Sequence, residues 1–203
     1  MSEYYYAYPF DRTIHDQSYA FWNDGFSDKE IKNIIKLGES ENINQAGVVG
    51  GDTDIISKNI RDSKISWINP SDESIWLYDK ICDISSRLNN QYFGYNLSGL
   101  LSIQYTVYES NSEGGGFYDW HVDRIGLDKK YVNPRKLSIS IQLSDPMDYE
   151  GGELWINGQR RECLSKNKGM LFAFPSHTLH RVTPVTSGIR KSLVAWIVGP
   201  DFV

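Results

Sequence analysis

The sequence predicts a mainly β fold of the α+β class: a jelly-roll or related β-barrel core preceded by a largely helical stretch. Two observations carry this expectation. Apolar residues recur at helical spacing in the first ninety or so positions and at every second position from Leu100 onward. Turn signals, among them Gly151-Gly152 and Asn157-Gly158, then cut the C-terminal half into pieces of strand length. A chain of 203 residues can bury a core without disulfides or structural metal. The expected organisation is one domain over 1–203, with 1–98 as mainly helical support and 99–203 as the β core.

Ser27-Asp28-Lys29-Glu30 forms a capping box, in which Ser27 accepts from the amide three residues on and Glu30 reaches back. Behind it Ile31, Ile34, Ile35 and Leu37 make the apolar stripe of a helix, and Gly38 offers a stop. The glycine-rich run from Gln45 to Thr53 lacks the lysine and following helix of a phosphate-binding loop and reads as a plain loop or turn. A second helix is expected from about Ser71, just after Pro70, with Ile75, Tyr78, Ile81, Cys82, Ile84 and Leu88 facing a sheet. Then the period changes. Leu101, Ile103, Tyr105 and Val107 alternate with Ser102, Gln104, Thr106 and Tyr108, and Leu137, Ile139, Ile141 and Leu143 alternate with Ser138, Ser140, Gln142 and Ser144. Both are half-buried strands whose second faces, small and polar, suit the wall of a hydrated cavity. Shorter strands are expected at Phe117–Asp123, Glu153–Ile156, Met170–Phe174, His180–Val182 and Lys191–Val198.

The net charge of −5 argues against a general nucleic-acid binder, which carries a basic footprint. The basic clusters at Lys129, Lys130, Arg135 and Lys136 and at Arg160 and Arg161 read as solvated loop charge. Cys82 and Cys163 share no framework and read as two free thiols in a reducing compartment. The N-terminal residues lack the pattern of a signal peptide, and no apolar stretch reaches membrane-spanning length. The expectation is a cytoplasmic protein without nucleic-acid or membrane partners.

Four residues of the β half carry chemistry: His121, Asp123, His180 and Arg190. On one strand His121 and Asp123 point to the same face and can offer an imidazole nitrogen and a carboxylate oxygen to one ion, while His180 supplies a third ligand from a distant strand. Two histidines and one carboxylate form the facial set of non-haem Fe(II) oxygenases, although affinity alone also admits Mn, Co, Ni or Zn. His177 lies three residues before His180, but Pro175 and the strand context favour a turn there, so His180 is assigned as the ligand. Arg190 offers a planar guanidinium that can bind a carboxylate through two parallel hydrogen bonds. If it points inward, Ser192 shares its face.

These residues resemble a known family, the 2-oxoglutarate- and Fe(II)-dependent dioxygenases, specifically the prolyl 4-hydroxylase-like branch. The resemblance runs from Leu100 to Trp196. It rests on His121-Val122-Asp123, Gly151-Gly152-Glu153-Leu154, Phe174-Pro175-Ser176 and the segment from His180 to Arg190, followed by Trp196. It implies a double-stranded β-helix core with N-terminal helices buttressing one sheet. It also implies that His121, Asp123 and His180 hold Fe(II) and that Arg190 holds the distal carboxylate of 2-oxoglutarate. O₂ is the other co-substrate and ascorbate a stimulant. Tyr108 is the candidate for a family tyrosine that contacts the co-substrate, with Tyr105 the fallback one face away. A further family tyrosine is replaced here by Gln142. Trp120 reads as a packing residue or part of the rim.

The implied reaction converts 2-oxoglutarate and O₂ to succinate and CO₂ while hydroxylating an unactivated C–H bond. The leading expectation for the substrate is a prolyl residue of a protein or peptide. A free amino acid or other small metabolite is the alternative, and an inactive binding module of the same fold a third. Glu109–Gly116, polar and glycine-rich, could be a mobile lid or a tolerated surface insertion, and Ile125–Pro134 could close over a peptide.

Overall fold

A computed structural model describes residues 17–50, 53–55, 59–124 and 133–200, with side chains for 17–47, 59–124 and 133–200. His15, part of the Gln45–Thr53 run and residues 125–132 of the expected closing loop lie outside the described residues.

Two antiparallel sheets face one another. The larger runs in the order Ala20–Trp22, Leu171–Pro175, Arg135–Gln142, Val185–Val198, Gly99–Glu109, Lys64–Ile68 and Asn44–Gln45, with Tyr149–Gly151 paired to the start of Val185–Val198. The smaller runs Arg161–Cys163, Leu154–Asn157, Leu179–Val182, Phe117–His121 and Arg61–Asp62. The expected double-sheet core is present, open at its edges rather than closed as a barrel. Every strand expected from residue 100 onward has a counterpart; Gly99–Glu109 and Arg135–Gln142 alternate apolar and polar residues, whereas Leu171–Pro175 is apolar throughout and buried on both faces.

The apolar face of the larger sheet packs under two helices, α1 (Asp28–Ser40) and α2 (Ile75–Leu88). Ile103, Ile139, Ile141 and Leu193 meet Ile31, Ile34, Leu77, Ile81 and Ile84 in one core. A smaller core of Tyr149, Leu154, Ile156, Phe172, Phe174 and Val185 sits between the sheets. Among the described residues no helix is long and apolar enough to cross a membrane. Cys82 and Cys163 are free and exposed.

The capping box forms as expected: Glu30 N donates to Ser27 Oγ and Ser27 N donates to Glu30 Oε2. Gly38 does not stop α1, which runs on to Ser40. Its role is packing, since a Cβ there would come within 2.3 Å of the Tyr105 ring. The second helix starts at Ile75, after a turn in which Ser74 Oγ accepts from Ser71 N. Its buried face is Leu77, Ile81, Ile84, Ser85 and Leu88, whereas Ile75 and Cys82 are exposed.

The N-terminal half also contributes strands where the sequence reads as helix and loop. Lys64–Ile68 extends the larger sheet, and Val48–Gly50, within the glycine-rich run, pairs antiparallel with Thr53–Ile55. Glu109–Gly116 is a tethered turn: Asn111 Oδ1 accepts from Glu113 N and Gly115 N, and Gly116 N donates to Glu109 O. Gly115, at φ 83°, lies where a Cβ would meet Val185 O at 1.9 Å.

Candidate metal centre

Phe117–His121 pairs with Leu179–Val182 so that His121 stands opposite His180. A bulge puts Asp119 and Trp120 of the first strand against Arg181 alone of the second, Val182 pairing with Tyr118. The strand ends at His121, so Asp123 lies just beyond it. Its backbone N–H, like that of Arg124, donates to Ser176 O, and this turns the carboxylate back under the histidines. Asp123 Oδ1 lies 3.7 Å from His121 Nε2, and Oδ2 lies 3.5 Å from His180 Nε2.

The two imidazoles are fixed in the same way. His121 Nδ1 lies 2.7 Å from Asp119 O and His180 Nδ1 lies 2.9 Å from Thr178 O. A carbonyl only accepts, so Nδ1 carries the proton and Nε2 presents its lone pair towards Asp123. Phe174 meets the His180 ring edge-on at 4.7 Å, and Tyr118 stacks on His121 at 3.4 Å. Burial, then the neighbouring His180, lower the His121 imidazole to about 3, which keeps it neutral. Burial opposes ionisation of Asp123, but the two imidazoles outweigh it and hold the carboxyl low.

The donor atoms of the three residues lie within 4.8 Å of one another. One face of an octahedron with roughly 2.1 Å bonds needs donors about 3 Å apart, so the set reaches metal geometry through small rotamer changes. Neutral imidazole nitrogens and an ionised carboxylate are the forms that bind a divalent ion, and the residues fit Fe(II). His177 is exposed on the Pro175–Thr178 turn and takes no part.

Arg190 lines the same cavity, of about 260 Å³, and is 2% exposed. Its Nη1 donates to Ser192 Oγ at 3.0 Å, its Nη2 to Gln142 Oε1 at 3.1 Å, and its Nε has no partner. No carboxylate pairs with it among the described residues. Tyr108, its cross-strand partner, has its ring 5.2 Å from the guanidinium, so Tyr108 faces the cavity. Tyr105 lies on the opposite face, with its hydroxyl donating to Glu39. Gly152, at φ 61°, leaves room for the Arg190 stem, which a Cβ would meet at 2.9 Å. Arg190 belongs to the long strand Val185–Val198 rather than following a free turn, because Tyr149–Gly151 pairs with its first residues.

Sequence reasoning missed Tyr118, Arg61 and the inward role of Arg135. Arg61 is 7% exposed, donates from Nε to Ser63 Oγ and lies 4.6 Å over the Tyr118 ring. Arg135 stacks on Trp196 at 3.9 Å. Trp120 points to the other face of its strand from His121, flanked by Arg161 and Arg181.

Residues 103–198 match the family model of the 2OG-Fe(II) oxygenase superfamily. A PKHD-type hydroxylase of Colwellia psychrerythraea is 44% identical over 89 residues, covering 43% of this chain and 40% of that protein. A PKHD-type hydroxylase of a Synechococcus species is 35% identical over 105 residues, covering 51% and 47%. The chain thus spans about half the length of the curated relatives it matches. Among solved structures, a Pseudomonas putida prolyl-4-hydroxylase superposes with TM-score 0.68 at 20% identity, covering 91% of this chain and 94% of its own. A prolyl hydroxylase from Trichoplax adhaerens, solved with a hypoxia inducible factor peptide fragment, gives 0.70 at 20% identity, covering 90% and 84%.

Just under half of the chain, residues 103–198, is thus similar to the 2OG-Fe(II) oxygenase superfamily, a class of dioxygenases. That family implies Fe(II), 2-oxoglutarate and O₂, and the His121, Asp123 and His180 cluster is where an iron could sit. Its fold is that of the solved prolyl 4-hydroxylase structures.

Proposed function

We propose that the protein, as a single domain, hydroxylates a prolyl residue of a protein or peptide, coupled to conversion of 2-oxoglutarate and O₂ to succinate and CO₂. The observation that carries this reading is one cavity lined both by the three metal-ligating side chains and by a buried guanidinium without a carboxylate partner among the described residues. His121, Asp123 and His180 would hold Fe(II). When bound, the iron supplies the oxygen activation that the protein's own side chains lack.

The remaining residues bind and orient. Arg190, braced by Ser192 and Gln142, would clamp the distal carboxylate of 2-oxoglutarate, with Tyr108 beside it. A buried guanidinium without a counter-charge is costly, so an anionic co-substrate that pairs with Arg190 is stabilised there. At about 260 Å³ the cavity is near the lower end of ordinary ligand sites. The peptide-bound Trichoplax relative supports a peptide as substrate.

Succinate release tests the proposal. Fe(II)-dependent release stimulated by proline-containing peptides is the expected result. Turnover with free amino acids alone would sink the peptide reading.

A further inference from the structure

Resting on the hydroxylase reading, we propose that Arg61 forms a carboxylate subsite, so that the preferred substrate carries a carboxylate beside the carbon that is hydroxylated. Arg61 is 7% exposed and lines the same cavity as the metal ligands. Its Nε is held by Ser63 Oγ at 2.8 Å, and Nη1 reaches Gly47 O at 3.4 Å. Among the described residues Nη2 has no acceptor and no carboxylate pairs with the group. The guanidinium lies over one face of Tyr118, and that ring stacks on His121, so the charge sits one ring away from the metal ligands.

The charge balance argues for an anion rather than a neutral carbonyl. Among the described residues lining the cavity, the buried guanidiniums of Arg61 and Arg190 face one carboxylate, Asp123. A divalent metal and dianionic 2-oxoglutarate cancel, so they leave this excess standing. Arg190 is already committed through Ser192 and Gln142. Arg61 stands on the edge strand of the smaller sheet and is the buried cation left for the second substrate. In a cavity of low dielectric, such a cation favours a carboxylate over an amide of the same shape.

The test is a binding measurement without turnover, a calorimetric titration under argon of protein loaded with Fe(II) and 2-oxoglutarate. Two probe pairs differ in charge at one group. Acetyl-Ala-Pro-Asp-Ala-amide against its Asn twin reports a side-chain carboxylate, and L-proline against L-prolinamide reports an α-carboxylate. The expected result is a preference of about tenfold or more for the carboxylate member of at least one pair. It should collapse to within about twofold in Arg61→Gln and survive in part in Arg61→Lys, with 2-oxoglutarate affinity and melting temperature unchanged in both. That pattern separates a lost charge contact from a disturbed Tyr118 stack. Equal binding within both pairs, no binding of any carboxylate probe, or a preference that persists in Arg61→Gln overturns the proposal. Failure of the hydroxylase reading looks different: no succinate release, with the charge preference intact.

Discussion

The Tyr118 ring lies flat against the His121 imidazole, with centroids 3.4 Å apart and planes 13° from parallel. Three residues apart on a regular strand would face opposite ways, and the bulge against Leu179–Val182 brings both to the cavity. The stack closes one side of His121 while Asp119 O fixes its Nδ1, leaving Nε2 as the free ligand atom.

Replacing Tyr118 by Ala should therefore loosen His121 and weaken Fe(II) binding by about tenfold. Tyr118→Phe should stay within roughly twofold, because the ring does the positioning. The hydroxyl, pushed up to about 12 mainly by burial, brings no charge at neutral pH. Anaerobic competition against a metal-binding dye measures both.

His180→Ala should lower Fe(II) affinity by more than about a hundredfold, since it removes a ligand rather than a supporting contact. His177→Ala should change little, because His177 is exposed on its turn. The same dye competition separates them, and the reverse order would reassign the ligand.

Gly38→Ala should destabilise the fold although alanine is the better helix former. The added Cβ would lie 2.3 Å from a Tyr105 ring that is fully buried between α1 and the larger sheet. Overpacking of about 1–3 kcal/mol exceeds a propensity gain of at most about 1 kcal/mol. Urea unfolding should show a lower midpoint with an unchanged slope.

Glu30 ties α1 to α2 through its 2.5 Å contact with Lys80 and caps α1 through Ser27. Partial burial pushes its carboxyl up, but hydrogen bonds from Lys80 and Ser27 outweigh this and bring it from 4.5 to about 2. Because the folded value is depressed, the stabilisation is fully present above pH 4.5 and is lost as pH falls towards 2. Glu30→Gln should be less stable than wild type near neutrality, and the gap should close across that window in unfolding measured at several pH values.

Gly99–Glu109 and Arg135–Gln142 were legible because their two faces meet different surroundings, apolar helices on one side and a polar cavity on the other. Lys64–Ile68 was not, for the same physical reason turned round. Its alternation covers only Lys64 to Trp67 and is inverted: the apolar Ile65 and Trp67 line the cavity, while Ile68 packs into the core beside Ser66, which donates to Gly38 O. The cluster of His121, Asp123 and His180 could be read from residue type and spacing, and Arg190, Ser192 and Gln142 meet as the strand alternation predicts. Tyr118 was hidden by a bulge, which shifts the alternation and leaves no trace in composition. Arg61 lies on a two-residue strand, too short for any period, and its importance comes from a tertiary approach to Tyr118.

The most direct test is calorimetric titration of 2-oxoglutarate into Fe(II)-loaded wild type, His180→Ala and Arg190→Ala protein under argon. The account predicts tight binding to wild type, metal-dependent binding lost in His180→Ala, and affinity reduced on the order of tenfold to a hundredfold in Arg190→Ala with Fe(II) retained. Wild-type affinity in Arg190→Ala, or metal-dependent binding preserved in His180→Ala, would contradict it.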